Sequence, residues 1–299
     1  MVEVAVGAAA TLVVEASAAV GVDSVASAAA AQGVAVLEEV GSVIDRENTM
    51  PVETRVPEKQ ISDFVTGLQQ AAGPNLESVI LYGSAASGDF DPERSNINLL
   101  VVLKDTSLAK LVALGPVVEA WTRTKQHAPL MITRDELERS ADVFAIEFMD
   151  MREQHRVLFG PDVIASLQIP MQFHRAQLEY EIREKLILLR QRLLLEVGDD
   201  KRTWELLLRS LPSFTTLFRH AVIAQGQPTP AGKRESVKAL ALSLGFDASP
   251  FEQLLDIREH RIDRKQLHAQ EIAARYLAAI ELVTAAVDKM LDSPGLRGS

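Results

Sequence analysis

At 299 residues and 47% apolar content, the chain is long enough for two domains and a substantial core. It has no cysteine, which excludes disulfides, thiolate zinc sites, iron–sulfur clusters and cysteine nucleophiles. A net charge of −10 and only 5% aromatic residues disfavour nucleic acid as a partner, which needs a cationic face and stacking platforms.

The first 47 residues hold 13 Ala and 12 Val, no Pro and no aromatic, with a net charge of −6. Such monotony, without a steady helical or strand period, predicts a weakly structured extension over 1–49; a true translation start at Met50 is the alternative. The apolar run Val4 to Val14 is too short for a bilayer, and Glu3 stands where a signal peptide carries a base. No membrane partner is expected, and the expected location is cytoplasmic.

Order is predicted from Pro57, with Ile61, Phe64, Val65 and Leu68 at helical spacing until Gly73-Pro74. Leu76 to Tyr82 reads as a buried strand ending at Gly83-Ser84, and Asn96 to Leu103 as a second strand. A helix from Ser107 to about Lys125 follows, with Ser107 as its N-cap, then a short strand over Pro129 to Ile132. Thr133 and Glu136 form a capping box for the next helix, and Asp142 to Asp150 alternates as a strand. This order predicts an α/β (α+β) domain with a mixed sheet over residues 50–165.

The remainder, 166–299, reads as an all-α domain of five or six helices. Leu178, Ile182, Leu186, Leu189 and Leu193 mark one long helix; Tyr276, Ile280, Val283 and Val287 mark the last. Pro212 is expected to break or kink the helix between them. Ser249-Pro250-Phe251-Glu252 reads as an N-cap, a first-turn Pro and a capping-box Glu. The six His are scattered: His127, His155, His174 and His220 have no His or carboxylate at ligand spacing. His260 and His268, like Arg183, Arg190 and Arg192, read as solvated helix surface. Trp121 and Trp204 read as core anchors.

Chemistry concentrates in Leu81 to Leu103, L-Y-G-S-A-A-S-G-D-F-D-P-E-R-S-N-I-N-L-L-V-V-L. Gly83 lets a phosphate approach the backbone, and Ser84 with the amides behind it can bind phosphate oxygens. On the second strand the period of two puts Asn96, Asn98, Leu100 and Val102 on one face and Ile97, Leu99, Val101 and Leu103 on the other. Glu147, flanked by apolar residues, is expensive to bury unpaired, which implies a metal or a basic partner.

Gly83, Ser84, Gly88, Ser95, Leu99 and Val101 match in place and spacing the signature h-G-S-x-x-x-G…S-D-x-D-L-x-V. The chain therefore resembles the nucleotidyltransferase superfamily with the DNA-polymerase-beta-like palm, over about residues 57–160. The resemblance implies Mg²⁺-dependent transfer of a nucleoside monophosphate from a nucleoside triphosphate (NTP) to a small-molecule or protein acceptor. Gly83 and Ser84 would hold the phosphates, Asn96 and Asn98 would occupy the metal positions, and Glu147 would be the third, catalytic carboxylate. Both signature Asp positions are Asn here, so the protein offers one acid where the family has three, and Mg²⁺ is held weakly or not at all. Asp89 or Asp91 could return charge if the turn folds inward. The alternative function is a catalytically inactive relative that binds a nucleotide or a protein.

Overall fold

The computed structural model describes residues 56–292, apart from 89, 91–94 and 197. The Ala/Val-rich stretch 1–49, Asp89 and Asp91 lie outside them. Helix α1 (Glu58–Ala72) leads through a 3-10 turn (Gly73–Asn75) into β1 (Leu76–Tyr82), followed by one helical turn, α2 (Ser84–Ser87). Strand β2 (Asn98–Leu103), helix α3 (Leu108–Thr122) and β3 (Leu130–Thr133) form a β-α-β crossover, with β2 and β3 parallel. Two helices, α4 (Arg134–Arg139) and α5 (Ala145–Glu153), lead to β4 (His155–Phe159). The sheet order is β3-β2-β1-β4, and β1 runs antiparallel to both its neighbours, so the sheet is mixed.

The alternation read from the sequence sorts the two faces. Ile97, Leu99, Val101 and Leu103 pack with Val79 and Leu81 against Phe64, Leu68, Leu114 and Trp121 of α1 and α3. Phe64 and Trp121 stack with ring centroids 4.5 Å apart. Leu100 and Val102 turn the other way, onto Ile80, Leu137, Phe148 and Met151. The capping box is present, with Thr133 Oγ1 accepting from Glu136 N at 3.1 Å and Glu136 Oε2 accepting from Thr133 N at 2.8 Å. Ser107 precedes α3 as expected, but its hydroxyl donates to Asp105 Oδ2 at 3.1 Å instead of capping the helix.

The expected strand over Asp142 to Asp150 is helix α5 instead. The reason is its position between two cores. Ile146 packs among the helices of the second half, while Phe148 and Met151 pack on the sheet. A helix buried on both sides loses its amphipathic period, and a short apolar run then looks like a strand.

Five further helices follow: α6 (His174–Glu196), α7 (Asp200–Ala224), α8 (Lys233–Leu244), α9 (Ser249–Arg258) and α10 (Ala269–Asp292). Their core includes Leu178, Leu189, Trp204, Phe214, Phe218, Phe251 and Tyr276, and the expected stripe of α10 (Tyr276, Ile280, Val283 and Val287) is buried. Pro212 does not break α7. Proline has no N–H for the Leu208 carbonyl four residues back, and Arg258 Nη1 donates to that carbonyl at 3.4 Å. Ser249 does not cap α9; it is the first helical residue, and Asp247 Oδ1 accepts from its N–H at 3.0 Å and from its hydroxyl at 2.7 Å. No helix among the described residues is long and apolar enough to cross a membrane.

Candidate functional site

The site is built where β1 ends. Tyr82, its last residue, lies opposite Asn98 on β2 and His155 on β4, so one row crosses three strands. The chain then turns at Gly83 with φ 75° and ψ −152°, a region essentially reserved for glycine. A Cβ at Gly83 would stand 3.0 Å from Asn98 Nδ2. The Gly-Ser turn and the second Asn therefore meet. The amides of Ala86 and Ser87 bond the Gly83 carbonyl at 2.9 and 3.1 Å, while those of Ser84 and Ala85 precede the first internal bonds of α2. The strand begins at Asn98, two residues later than expected, so alternation sets Asn98 on the side opposite Leu99, whereas Asn96 lies in the segment before the strand; both are half-buried.

Glu147 sits in the first turn of α5, a helix that packs on the Leu100/Val102 face of the sheet through Phe148 and Met151. Its Oε2 accepts from Gln177 Nε2 at 2.6 Å, and its Oε1 is buried with no hydrogen-bond partner among the described residues. Burial, with lesser repulsion from Glu181 and Asp150, raises its pKa to about 7 against the opposing hydrogen bonds. Its charge also acts on Tyr82, whose phenol burial first and Glu147 second push up to about 12. Glu181 is itself buried and paired with Lys185 Nζ at 3.0 Å.

A Mg²⁺ pair does not fit the donors among the described residues. Magnesium takes about six oxygens in near-ideal octahedra and favours charged ones. Of the described residues, Asn96, Asn98 and Glu147 offer two amides and one acid with a pKa of about 7, whose Oε1 alone has no hydrogen-bond partner. Among the described residues no group of three or more His, Cys, Asp or Glu could hold a metal ion.

Two contacts that spacing did not reveal hold α5 to the helical half. Gln177 on α6 uses both ends of its amide: Oε1 accepts from Ile146 N at 3.1 Å while Nε2 holds Glu147. A buried chain then links His174 Nε2 to His220 Nδ1 at 2.9 Å and His220 Nε2 to Asp150 Oδ1 at 2.9 Å. Arg219 adds ion pairs to Asp150 and Glu153. Burial first, then His220 and Arg175, lower the His174 pKa to about 4, so the ring is neutral at ordinary pH. These partners lie 30 to 70 residues apart, beyond any spacing motif. Gln177→Leu removes two hydrogen bonds at a buried junction and is expected to cost about 2 kcal/mol. A urea titration of the variant beside the native protein would measure it.

Arg183 and Arg190, singled out from the sequence on α6, form surface ion pairs. Arg183 pairs with Glu179 and Asp288, and Arg190 with Glu281, all partly exposed. Trp121 and Trp204 are buried, as expected.

No family model and no curated protein matches the chain. Among solved structures it is similar to the spectinomycin adenyltransferase AAD(9) of Enterococcus faecialis, solved with ATP and spectinomycin. Identity is 16% and the TM-score 0.47, over 76% of this chain and 98% of that one. A nucleotidyltransferase-like protein from Exiguobacterium sibiricum 255-15 is also similar, with 16% identity, a TM-score of 0.34, and 78% of each chain covered. With both TM-scores under 0.5, the functional reading rests on the chain's own residues.

Proposed function

We propose that this protein is a nucleotidyltransferase relative that binds an NTP at the β1–α2 turn, without the two-metal chemistry of the family. The observation that carries this is the approach of Asn98 to Gly83, 3.0 Å from where a Cβ would sit, which brings the two halves of the signature together. Gly83 and the amides of Ser84 and Ala85 would receive phosphate oxygens. Asn98 and Asn96 would donate amide N–H groups where the family's carboxylates would repel an anion. An amide thus replaces a metal-bridged contact with a direct one, and the acceptor side of a transfer reaction loses its activation.

A second reading, slow nucleotidyl transfer to a small-molecule or protein acceptor, is favoured by one feature. Glu147, with a pKa of about 7, is poised to take a proton near neutral pH.

Calorimetric titration with each nucleoside triphosphate, with and without Mg²⁺, separates the readings. The first expects binding whose dissociation constant changes by less than about tenfold when Mg²⁺ is added. Gly83→Ala should abolish that binding and cost about 1–3 kcal/mol of stability through backbone strain. Mg²⁺-dependent turnover lost on Glu147→Gln would establish the second reading. Robust turnover insensitive to Glu147→Gln would overturn this site assignment.

A further inference from the structure

The outer face of α6 carries apolar side chains that the bundle does not use. Phe173, Tyr180, Ile187 and Leu194 recur every seven residues, and each exposes about half of its surface or more, Leu194 reaching 82%. Leu188 and Leu195 widen the stripe, the latter 75% exposed. The helical bond from Gln177 N to the Phe173 carbonyl, 2.9 Å, places Phe173 in the first turn. The stripe lies opposite the buried residues Leu178, Ile182, Leu189 and Leu193, and at about 1.5 Å per residue it runs for about 33 Å. An exposed patch of this continuity marks an interaction surface. A repeat of seven, equal to 3.5 residues per turn, is the period of one helix lying along another.

We infer that α6 pairs with α6 of a second copy of this chain, antiparallel, about a twofold axis near Leu188. The charges beside the stripe select this partner and this direction. Glu184 lies within the stripe with about a third of its side chain exposed; its charge acts on Tyr180 beside it, and Lys185 Nζ is 4.0 Å from its Oε2. Arg192, half-buried, follows eight residues later on the stripe's flank. Antiparallel pairing centred on Leu188 sets each copy's Glu184 near the other copy's Arg192, twice by symmetry. Parallel pairing in register would stack Glu184 on Glu184, which like charges oppose. The two stripes together bury on the order of 1,000 Å², the lower bound of a specific interface.

Sedimentation equilibrium of the full chain tests this, and the expected result is a dimer. Ile187→Glu with Leu194→Glu should give a monomer with unchanged circular dichroism. Arg192→Glu should weaken the dimer about tenfold, and adding Glu184→Arg to it should restore most of the affinity, because the swapped charges again face each other. The cysteine-free sequence allows a direct check of direction. Leu188→Cys should cross-link with a short bismaleimide, whereas Tyr180→Cys should not, since antiparallel helices hold those positions far apart. A native protein that stays monomeric at all concentrations overturns the proposal, as does a dimer indifferent to the Ile187 and Leu194 changes. Cross-linking at 180 as efficient as at 188 overturns the antiparallel geometry.

Discussion

Glu147→Gln is expected to stabilise the protein at pH 8 by about 3 kcal/mol and to leave it nearly unchanged at pH 4. The folded protein holds this carboxyl at a pKa of about 7, above its ordinary 4.5, chiefly because the group is buried. Below pH 4.5 both the folded and unfolded chains keep the proton, and the acid makes no difference. Between 4.5 and 7 the unfolded chain releases the proton while the folded one retains it, so stability falls as pH rises. Above 7 both are ionised and the full penalty of a buried charge remains. An amide of the same shape carries no such penalty and can still accept from Gln177. Urea titrations of both proteins from pH 4 to pH 8 would show two stability curves that diverge through this window. Parallel curves would mean that Glu147 is solvated.

Replacing Asn96 and Asn98 together by Asp is expected to tighten Mg²⁺ binding by about tenfold for each carboxylate, or about 1.4 kcal/mol apiece. Asn and Asp are nearly isosteric, so the change alters charge while leaving the shape of the turn. Without metal the double variant adds two acids at half-buried positions, and the cost of burying their charge should lower its melting temperature. Added Mg²⁺ should then raise the melting temperature of the variant and leave the native protein nearly unmoved, because a ligand stabilises the state that binds it. If Mg²⁺ shifts neither protein, Asn96 and Asn98 do not occupy metal positions. The same variant, supplied with an NTP, would show whether charge alone separates this chain from a working transferase.

The sequence alone determined those features whose physics acts within a turn or two of the chain. The alternation of β2 follows from its pleat, which is why Ile97, Leu99, Val101 and Leu103 face α1 and α3 as expected. The capping box at Thr133 and Glu136 is a three-residue contact, and the buried stripe of α10 is a helical period. The turn at Gly83 was legible because a strand leads there into Gly-Ser; the structure gives it a backbone that glycine adopts cheaply.

Only the tertiary structure decided the rest. Whether residues 145–153 form a strand or a helix depended on their being enclosed by two cores, which erases the local period. The Leu208 carbonyl that Pro212 leaves without its helical N–H is met by Arg258, 50 residues away. The Gln177 amide that holds Glu147 lies 30 residues away, and the His220 that meets Asp150 lies 70 away. Long-range hydrogen bonds leave no periodic trace, because each partner is chosen by the packing of distant elements and not by its neighbours in the chain.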